Sequence, residues 1–168
     1  MHAQAFDFVR RAVQSFPPLL RVVEFGSLDV NGSVRPIFTD AAALGKYLGI
    51  DLRLSLGVDL MADAADWTPA EPFDAVVSCG VMEHTPRAEE LCVSACRALR
   101  PGGIFILTCA SAYFPVHGVD GGELPPGEFY RGIHAFDVRD WLNAAGFDLV
   151  MVEKPTLHDV CALAWKVR

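Results

Sequence analysis

The chain has 168 residues, 52% of them hydrophobic, which suffices to bury the core of a single domain. Its formal net charge of −7 argues against non-specific binding to nucleic acid or to an anionic membrane, and no apolar run is long enough to cross a bilayer. Five cysteines without a CxxC pair, and an N-terminal stretch without a secretory signal, predict reduced thiols and a cytoplasmic protein.

Hydrophobic periodicity predicts helices and strands that alternate along the chain. Apolar residues recur at helical spacing in three stretches, and a further short helix fits before Gly45. Pro17 ends the first helix, while Thr85 and Pro86 provide an N-cap and first-turn signal for the second. Asp137 is expected to begin the third. The predicted main helices span residues 3–16, 85–99 and 137–145.

Short apolar runs between these helices predict the strands of one sheet. Because helices separate most of the strands, we expect a mostly parallel sheet with helices on both faces. The last two strands have no helix between them, which predicts an antiparallel hairpin at one edge. The fold class is therefore a doubly wound α/β sheet, formed by a single domain over residues 1–168. The predicted strands span residues 19–25, 47–51, 58–61, 73–79, 104–109, 148–153 and 160–167.

The chain is organised around residues 22–33, where a buried strand runs into a polar loop. Glu24 lies near the carboxyl end of this strand, which is the end where doubly wound sheets bind ligands. Gly26 and Gly32 allow the backbone to turn sharply and to approach a ligand closely, and Asn31 tolerates left-handed geometry. We interpret this stretch as the hinge that binds a nucleotide cofactor; the alternative is an ordinary turn after a strand.

Two further carboxylates, Asp51 and Asp63, follow the second and third predicted strands. Because the carboxyl ends of parallel strands meet at one edge of a sheet, we expect Glu24, Asp51 and Asp63 to contact different polar parts of one extended ligand. The separation between Gly32 and Asp51 also suits the ribose of a dinucleotide, so spacing alone leaves the identity of the cofactor open.

Six segments, taken in their order and spacing, make the chain resemble the class I S-adenosylmethionine-dependent methyltransferases, in particular small, single-domain proteins of methyltransferase type 11. The resemblance covers nearly the whole chain. It implies a Rossmann-like fold and S-adenosyl-L-methionine as the cofactor. The matching segments span residues 22–32, 49–51, 61–64, 73–79, 82–84 and 99–103.

The same resemblance implies roles for residues at the strand ends. Glu24 and the loop 26–32 would hold the methionine end of the cofactor, Asp51 the ribose hydroxyls and Asp63 the adenine amino group, with His84 at the border of the site. The backbone carbonyls of Ser78 and Cys79, at the end of the fourth strand, would bind the methionyl amine. The residues assigned to the cofactor in this way are Glu24, Gly26, Ser27, Asn31, Gly32, Asp51, Leu52, Asp63, Ala64, Ser78, Cys79 and His84.

The chain departs from the family pattern at two places. Leu28 and Val30 stand where the family has glycines at alternate positions after the acid. Residues 52–57 separate the second and third strands, and a parallel connection normally needs a dozen or more residues to hold a helix. We therefore expect no crossover helix at this connection, and a third strand that is either short or differently placed.

The irregular stretch 110–135 is the predicted acceptor-binding segment. It follows the fifth strand on the ligand side of the sheet, and uncovered loops of this length are uncommon unless functional. A histidine could take the proton of an acceptor hydroxyl; His117 is the first candidate and His134 the second. Alternatively, both histidines only hydrogen-bond within the loop. The predicted acceptor-binding residues are Tyr113, Asp120, Tyr130 and Arg131.

These observations favour an enzyme that transfers a methyl group from S-adenosylmethionine to an oxygen or nitrogen of a small molecule, with no nucleic acid or membrane partner. One alternative is a protein of the same fold that binds the cofactor or a partner without turnover. A less favoured alternative is a nicotinamide-dependent reductase, because the carboxylate of Glu24 would lie close to the pyrophosphate of its cofactor.

Overall fold

The computed structural model describes residues 3–168. Met1 and His2, the first residues of the N-terminal stretch predicted to lack a secretory signal, lie outside the described residues. The described chain folds into a seven-stranded sheet of order β3-β2-β1-β4-β5-β7-β6. Its strands are β1 (Val22–Phe25), β2 (Tyr47–Asp51), β3 (Leu60–Met61), β4 (Phe73–Cys79), β5 (Leu99–Ala110), β6 (Leu149–Glu153) and β7 (Asp159–Lys166). The helices are α1 (Ala3–Gln14), α2 (Thr39–Ala43), α3 (Ala88–Ala98) and α4 (Ala135–Ala144).

The predicted topology is confirmed. Strands β1 to β5 pair in parallel with their neighbours, and β7 runs antiparallel between β5 and β6. The strand order reverses between β1 and β4, which lie side by side at the centre of the sheet. In open α/β sheets this reversal opens a crevice at the carboxyl ends of the strands, so the topology alone indicates where a ligand binds.

Hydrophobic residues fill both faces of the sheet because successive strand residues point to opposite sides. Phe105 and Leu107 belong to the core covered by α3 and α4, whereas Ile104 and Ile106 belong to the core covered by α1. The central strands are thus buried on both faces. Among the described residues, none of the helices combines the length and apolar character needed to cross a membrane.

Two predicted helix starts are wrong. Helix α3 begins at Ala88, because the Thr85 hydroxyl accepts a hydrogen bond from the Arg87 backbone N–H at 3.0 Å and closes a tight turn before the helix. Helix α4 begins at Ala135 rather than at Asp137. The Asp137 carboxylate accepts a hydrogen bond from the His134 backbone N–H at 3.4 Å, so Asp137 lies in the first turn and His134 is the N-cap residue.

The connection between β2 and β3 is helix-free, as predicted, and β3 has only two residues. Contacts of Arg35 stabilise this connection in the absence of a helix. Arg35 pairs with Asp59 and donates a hydrogen bond to the Gly57 carbonyl at 3.1 Å, while the Asp59 carboxylate accepts a hydrogen bond from the Gly49 N–H at 2.7 Å. These contacts hold the edge strand against β2 and keep the neighbouring strand ends in place.

Candidate active site

A cavity of about 1200 Å³ opens at the carboxyl ends of β1, β2, β4 and β5 and is bordered by the loop that follows β5. Strand topology places it there, since the ends of parallel strands share one edge of the sheet. The cavity brings together the predicted cofactor residues from four separate segments, with the exception of Ser78. Those that line it are Glu24, Gly26, Ser27, Asn31, Gly32, Asp51, Leu52, Asp63, Ala64, Cys79 and His84.

Glu24 places a buried carboxylate at the wall of this cavity. The side chain is only 5% exposed, and Tyr47 donates a hydrogen bond of 2.8 Å to its Oε2. Burial raises the pKa of Glu24 to about 7, although the Tyr47 hydrogen bond and the positive charge of Arg35 act to lower it. A carboxylate held in this way is well suited to meet a cationic group, because such a group would compensate its desolvation.

The loop after β1 depends on glycine at position 26. Gly26 has a φ of +78°, and a Cβ atom added to it would lie 2.1 Å from Cγ2 of Val81. Both the left-handed backbone and the close approach to Val81 require the absence of a side chain. The two positions where the family has glycines, Leu28 and Val30, have negative φ. The loop therefore forms its turn at Gly26 and does not need glycine at positions 28 and 30.

Asp51 links the end of β2 to this loop. Its carboxylate accepts hydrogen bonds from the backbone N–H groups of Leu28 and Arg53, each at 3.2 Å. The carboxylate thus has a fixed orientation at the cavity wall while its remaining lone pairs stay available, since each oxygen can accept more than one hydrogen bond. This is the geometry expected of a residue that binds ligand hydroxyl groups.

Asp63 is oriented by an arginine from the start of α3. Its Oδ1 accepts a hydrogen bond from the Ala65 N–H at 2.9 Å, and its Oδ2 pairs with Arg87 at 2.7 Å. Arg87 also binds Asp66 at 2.7 Å. Sequence reasoning did not identify Arg87, because its partners lie more than twenty positions away and are brought to it by the turn after β3.

Ser78 and Cys79 are the last two residues of β4, and only one of them reaches the cavity. Cys79 lines it, and burial raises the pKa of its thiol to about 12, so the thiol stays neutral. Ser78 is fully buried beneath the cavity wall, and its hydroxyl has no hydrogen-bond partner within residues 3–168. Ser78 therefore does not line the cavity, and the contact of the methionyl amine with the backbone carbonyls of this pair stays a prediction.

A cluster of rings lies at the wall of the same cavity. His117 lies at its centre, with ring centroids 5.0 Å from His84, 4.8 Å from Tyr130 and 5.0 Å from Phe114. Nδ1 of His117 donates a hydrogen bond of 2.9 Å to the Pro115 carbonyl, because a carbonyl oxygen can only accept. In the neutral ring the lone pair is therefore on Nε2.

The predicted acceptor residues separate into two groups. Asp120 lines the cavity, whereas Tyr130 is not part of the lining and packs against the rings of His84 and His117, which are. Tyr113, in contrast, is 60% exposed and lies under the Lys154 ammonium, 4.7 Å from its ring centroid. Arg131 also lies outside the cavity lining. It pairs with Asp137 at 3.1 Å and stacks on Trp141.

His134, the second catalytic candidate, is also placed away from the cavity. It precedes helix α4 as its N-cap residue, and its ring stacks on Phe136 with a centroid distance of 4.9 Å. Of the two histidines proposed from the sequence, His117 is the one that lines the cavity.

Glu83 is the principal site residue that sequence reasoning missed. It lines the cavity, is only 3% exposed, and accepts a hydrogen bond at Oε1 from the Ala110 N–H at 3.0 Å. Burial raises its pKa to about 7. The sequence does contain a signal for this role, because Glu83 follows shortly after β4 and acids near strand ends at this edge of the sheet are candidates for ligand binding.

The lining of the cavity is strongly acidic. Arg53 is the only lysine or arginine among the described residues that line it. Such a surface favours a positively charged ligand over a polyphosphate, because each buried carboxylate attracts a cation and repels an anion. The sulfonium and ammonium groups of S-adenosylmethionine fit this surface. The lining carboxylates belong to Glu24, Asp51, Asp63, Glu83, Asp120, Glu123, Glu128 and Asp159.

Comparison with solved structures shows the same fold in proteins of low sequence identity. The 1,6-didemethyltoxoflavin N1-methyltransferase of Burkholderia thailandensis, with bound 1,6-didemethyltoxoflavin and S-adenosylhomocysteine, is 16% identical with a TM-score of 0.66, covering 99% of this chain and 78% of that one. An S-adenosylmethionine-dependent methyltransferase from Mesorhizobium loti is 18% identical with a TM-score of 0.67, covering 95% of this chain and 97% of that one.

A third similar structure is a larger protein. Phosphoethanolamine N-methyltransferase 2 of Haemonchus contortus, in complex with S-adenosyl-L-methionine, is 14% identical with a TM-score of 0.68. The alignment covers 98% of this chain and 52% of that protein. The search of curated protein sequences found no match.

The family comparison is decisive for the assignment. The profile described as a methyltransferase domain matches residues 1–152, which include β1 to β5, the glycine loop and the ring cluster. With the fold and the strand-end carboxylates described above, this match shows that the chain belongs to the methyltransferase-domain family, the class I S-adenosylmethionine-dependent methyltransferases.

Proposed function

We propose that this methyltransferase transfers a methyl group from S-adenosylmethionine to an oxygen or nitrogen atom of a small molecule. The observation that carries the proposal is the cavity of about 1200 Å³, which is lined both by the strand-end carboxylates and by His117 from the loop after β5. Pockets for a single drug-sized ligand measure about 300–1,000 Å³, so this cavity has room for a cofactor and a small acceptor together.

The residues at the strand ends are the proposed cofactor site. Glu24 and the loop at Gly26 hold the methionine end, Asp51 binds the ribose hydroxyls and Asp63 binds the adenine amino group. Asp51 and Asp63 support this assignment because backbone and arginine contacts already orient their carboxylates. The bound cofactor supplies a methyl group on a positively charged sulfur, and the acidic lining compensates that charge.

His117 is the proposed proton acceptor for a hydroxyl or amino acceptor. The hydrogen bond from its Nδ1 to Pro115 orients the ring and leaves Nε2 unprotonated in the neutral form. Phe114 and Tyr130 pack around the ring and would limit the access of water to the reacting atoms. We propose Asp120 as a contact of the acceptor, since it lines the same cavity.

The other candidate functions receive less support. A reductase would have to place its pyrophosphate beside Glu24, and the acidic lining of the cavity disfavours an anion there. A protein that only holds the cofactor would not need the additional space beside His117. All five cysteines are free thiols, which supports the proposed cytoplasmic location. We also propose that residues 1–168 act as one domain.

The test is a calorimetric titration of the purified protein with S-adenosylmethionine, S-adenosylhomocysteine and NADH in separate experiments. We expect saturable binding of the first two, with dissociation constants on the order of micromolar, and no binding of NADH. A panel of amines, phenols and sugars with radiolabelled cofactor then identifies the acceptor class. Folded protein that binds NADH but neither adenosyl compound would overturn the proposal.

A further inference from the structure

Three potential metal ligands converge in the part of the cavity beside His117, which is proposed to bind the acceptor and is called the acceptor end below. Glu83 and His84 belong to the 3₁₀ turn Met82–His84 after β4, and His117 belongs to the loop after β5. One ligand atom from each residue lies within 4.8 Å of the other two. All three residues line the cavity, so an ion bound between them would face the space available to the acceptor.

Two of these three residues carry a buried polar atom without a hydrogen bond. Within residues 3–168, neither Oε2 of Glu83 nor Nδ1 of His84 has a partner. A buried polar atom without a partner costs about 1–3 kcal/mol, and more if it carries charge. Oε1 of Glu83 is held by the Ala110 N–H, so the orientation of Oε2 is already fixed. These unsatisfied atoms indicate that the site is completed by a further group.

His117 has the hydrogen bond that orients a metal-binding histidine. Its Nδ1 donates to the Pro115 carbonyl at 2.9 Å, which fixes the tautomer and leaves the lone pair on Nε2. Metal-bound histidines almost always donate their other ring N–H to a carboxylate, a backbone carbonyl or water. The backbone at Pro115 therefore prepares His117 to contribute an unprotonated nitrogen.

The donor set selects the kind of ion. Magnesium and calcium prefer sites built of oxygen ligands, whereas imidazole nitrogens suit first-row transition metals and zinc. Two histidines and one glutamate also form the three-residue ligand set of some catalytic zinc sites, in which the fourth position stays open. An open position here would point into the cavity, because the protein supplies ligands from its wall.

We propose that Glu83, His84 and His117 bind one Zn²⁺ ion at the acceptor end of the cavity. Binding of the ion does not depend on methyl transfer; only its effect on the acceptor rests on the proposed function. In the zinc-loaded protein His117 acts as a ligand rather than as the proton acceptor. A hydroxyl oxygen of the acceptor at the open position would then release its proton to water more readily, since a bound cation stabilises the oxyanion that remains.

The first experiment measures zinc affinity by calorimetry, using the full chain freed of metal with a chelator. We expect one Zn²⁺ per chain with a dissociation constant of about 1 μM or tighter. Titration with Co²⁺ should produce the visible absorption bands of cobalt with low coordination number. His117→Ala and Glu83→Gln should each weaken zinc binding by about tenfold or more, since each removes one of three ligands.

A matched control is available in His134, which lies outside the cavity. His134→Asn keeps a good N-cap residue for α4 and should leave zinc affinity unchanged. Circular dichroism confirms that each variant is folded, and His117→Ala alone suffices if Glu83→Gln does not fold. Wild-type protein without stoichiometric binding, or equal affinity in His117→Ala and His134→Asn, would overturn the zinc site. Retained S-adenosylhomocysteine binding in that protein would leave the proposed function standing.

Discussion

The hydroxyl group of Tyr47 donates a buried hydrogen bond of 2.8 Å to Glu24, from the first residue of β2 to the third residue of β1. The ring of Tyr47 is in turn covered by the Arg35 guanidinium, 4.7 Å from its centroid. Glu24 is therefore supported from the neighbouring strand, on the side away from the loop. This support only partly offsets the desolvation of the carboxyl group, so Glu24 titrates near neutral pH.

The raised pKa of Glu24 makes the stability of the protein depend on pH. The folded protein binds more protons than the unfolded chain between the ordinary pKa of 4.5 and the raised value of about 7. The free energy of unfolding should therefore fall as the pH rises through this window. Glu24→Gln removes the ionisation, and we expect it to unfold with a free energy about 1–3 kcal/mol higher than wild type near pH 8.

Urea denaturation of ligand-free protein at about pH 5 and about pH 8 provides the measurement. Glu83 has a similarly raised pKa, so part of the pH dependence should remain in Glu24→Gln. Asp140→Asn, which changes an exposed carboxylate on α4, is the control and should leave the pH dependence unaltered. An identical pH dependence in Glu24→Gln and wild type would show that Glu24 ionises normally in the folded protein.

Substitutions at Gly26 and Gly32 allow the cost of backbone strain to be distinguished from the cost of a steric clash. Both have positive φ, but an added Cβ meets Val81 at 2.1 Å only at position 26, and within residues 3–168 it meets nothing within 4 Å at position 32. We expect Gly32→Ala to lower the free energy of unfolding by about 1 kcal/mol and Gly26→Ala by about 2 kcal/mol or more. Adding Val81→Ala should recover part of the loss in Gly26→Ala. Equal losses in the two single variants would contradict the packing argument.

Asp51 is predicted to carry much of the affinity for the cofactor. Asp51→Asn retains an oxygen that can accept from Leu28 but loses the charge and half of the acceptor capacity. We expect its S-adenosylhomocysteine affinity to fall by about 10-fold to 100-fold, equivalent to roughly 1.4–3 kcal/mol, without loss of folding. Calorimetry measures the change, and Asp40→Asn, an exposed residue of α2, is the control. Wild-type affinity in folded Asp51→Asn would contradict the proposed site.

Arg87 should influence the cofactor through Asp63. Arg87→Gln removes the 2.7 Å ion pair that orients the Asp63 carboxylate, and we expect S-adenosylhomocysteine affinity to weaken by about threefold to tenfold. Asp66→Asn disturbs the other partner of Arg87 and leaves that ion pair in place. Its affinity should therefore stay close to wild type. If both variants weaken binding equally, the effect comes from the local fold rather than from Asp63.

The strands and the mostly parallel sheet with its antiparallel hairpin could be predicted, because strand patterns are local and the helices between them are visible in the sequence. Residues 73–79 show little alternation of apolar and polar residues, yet their nearly continuous apolar run predicts a central strand, and β4 has those bounds. The carboxylates Glu24, Asp51 and Asp63 could also be placed at one edge, since topology alone brings parallel strand ends together. Capping contacts were harder to predict, because Thr85 and Asp137 each have more than one way to bond to the nearby backbone.

The acceptor end could not be predicted residue by residue. His117 and His134 occur in the same loop with similar neighbours, and nothing local in their sequence says which will reach the cavity. The path of the loop is fixed by long-range contacts, such as the hydrogen bond from the Arg131 N–H to the Glu83 carbonyl at 2.8 Å. The same contacts bring His117 to Glu83 and His84, a grouping that spacing along the chain does not reveal.

The interior position of β7 constrains how the protein can fold during synthesis. Strand β7 fills the gap between β5 and β6, so a nascent chain that has emerged only through β6 exposes an unpaired edge of β5. Unpaired edges invite pairing with other chains until they are covered. Residues 159–166 must therefore leave the ribosome before the sheet closes, and a stalled chain that ends before them should depend on chaperones to remain unaggregated.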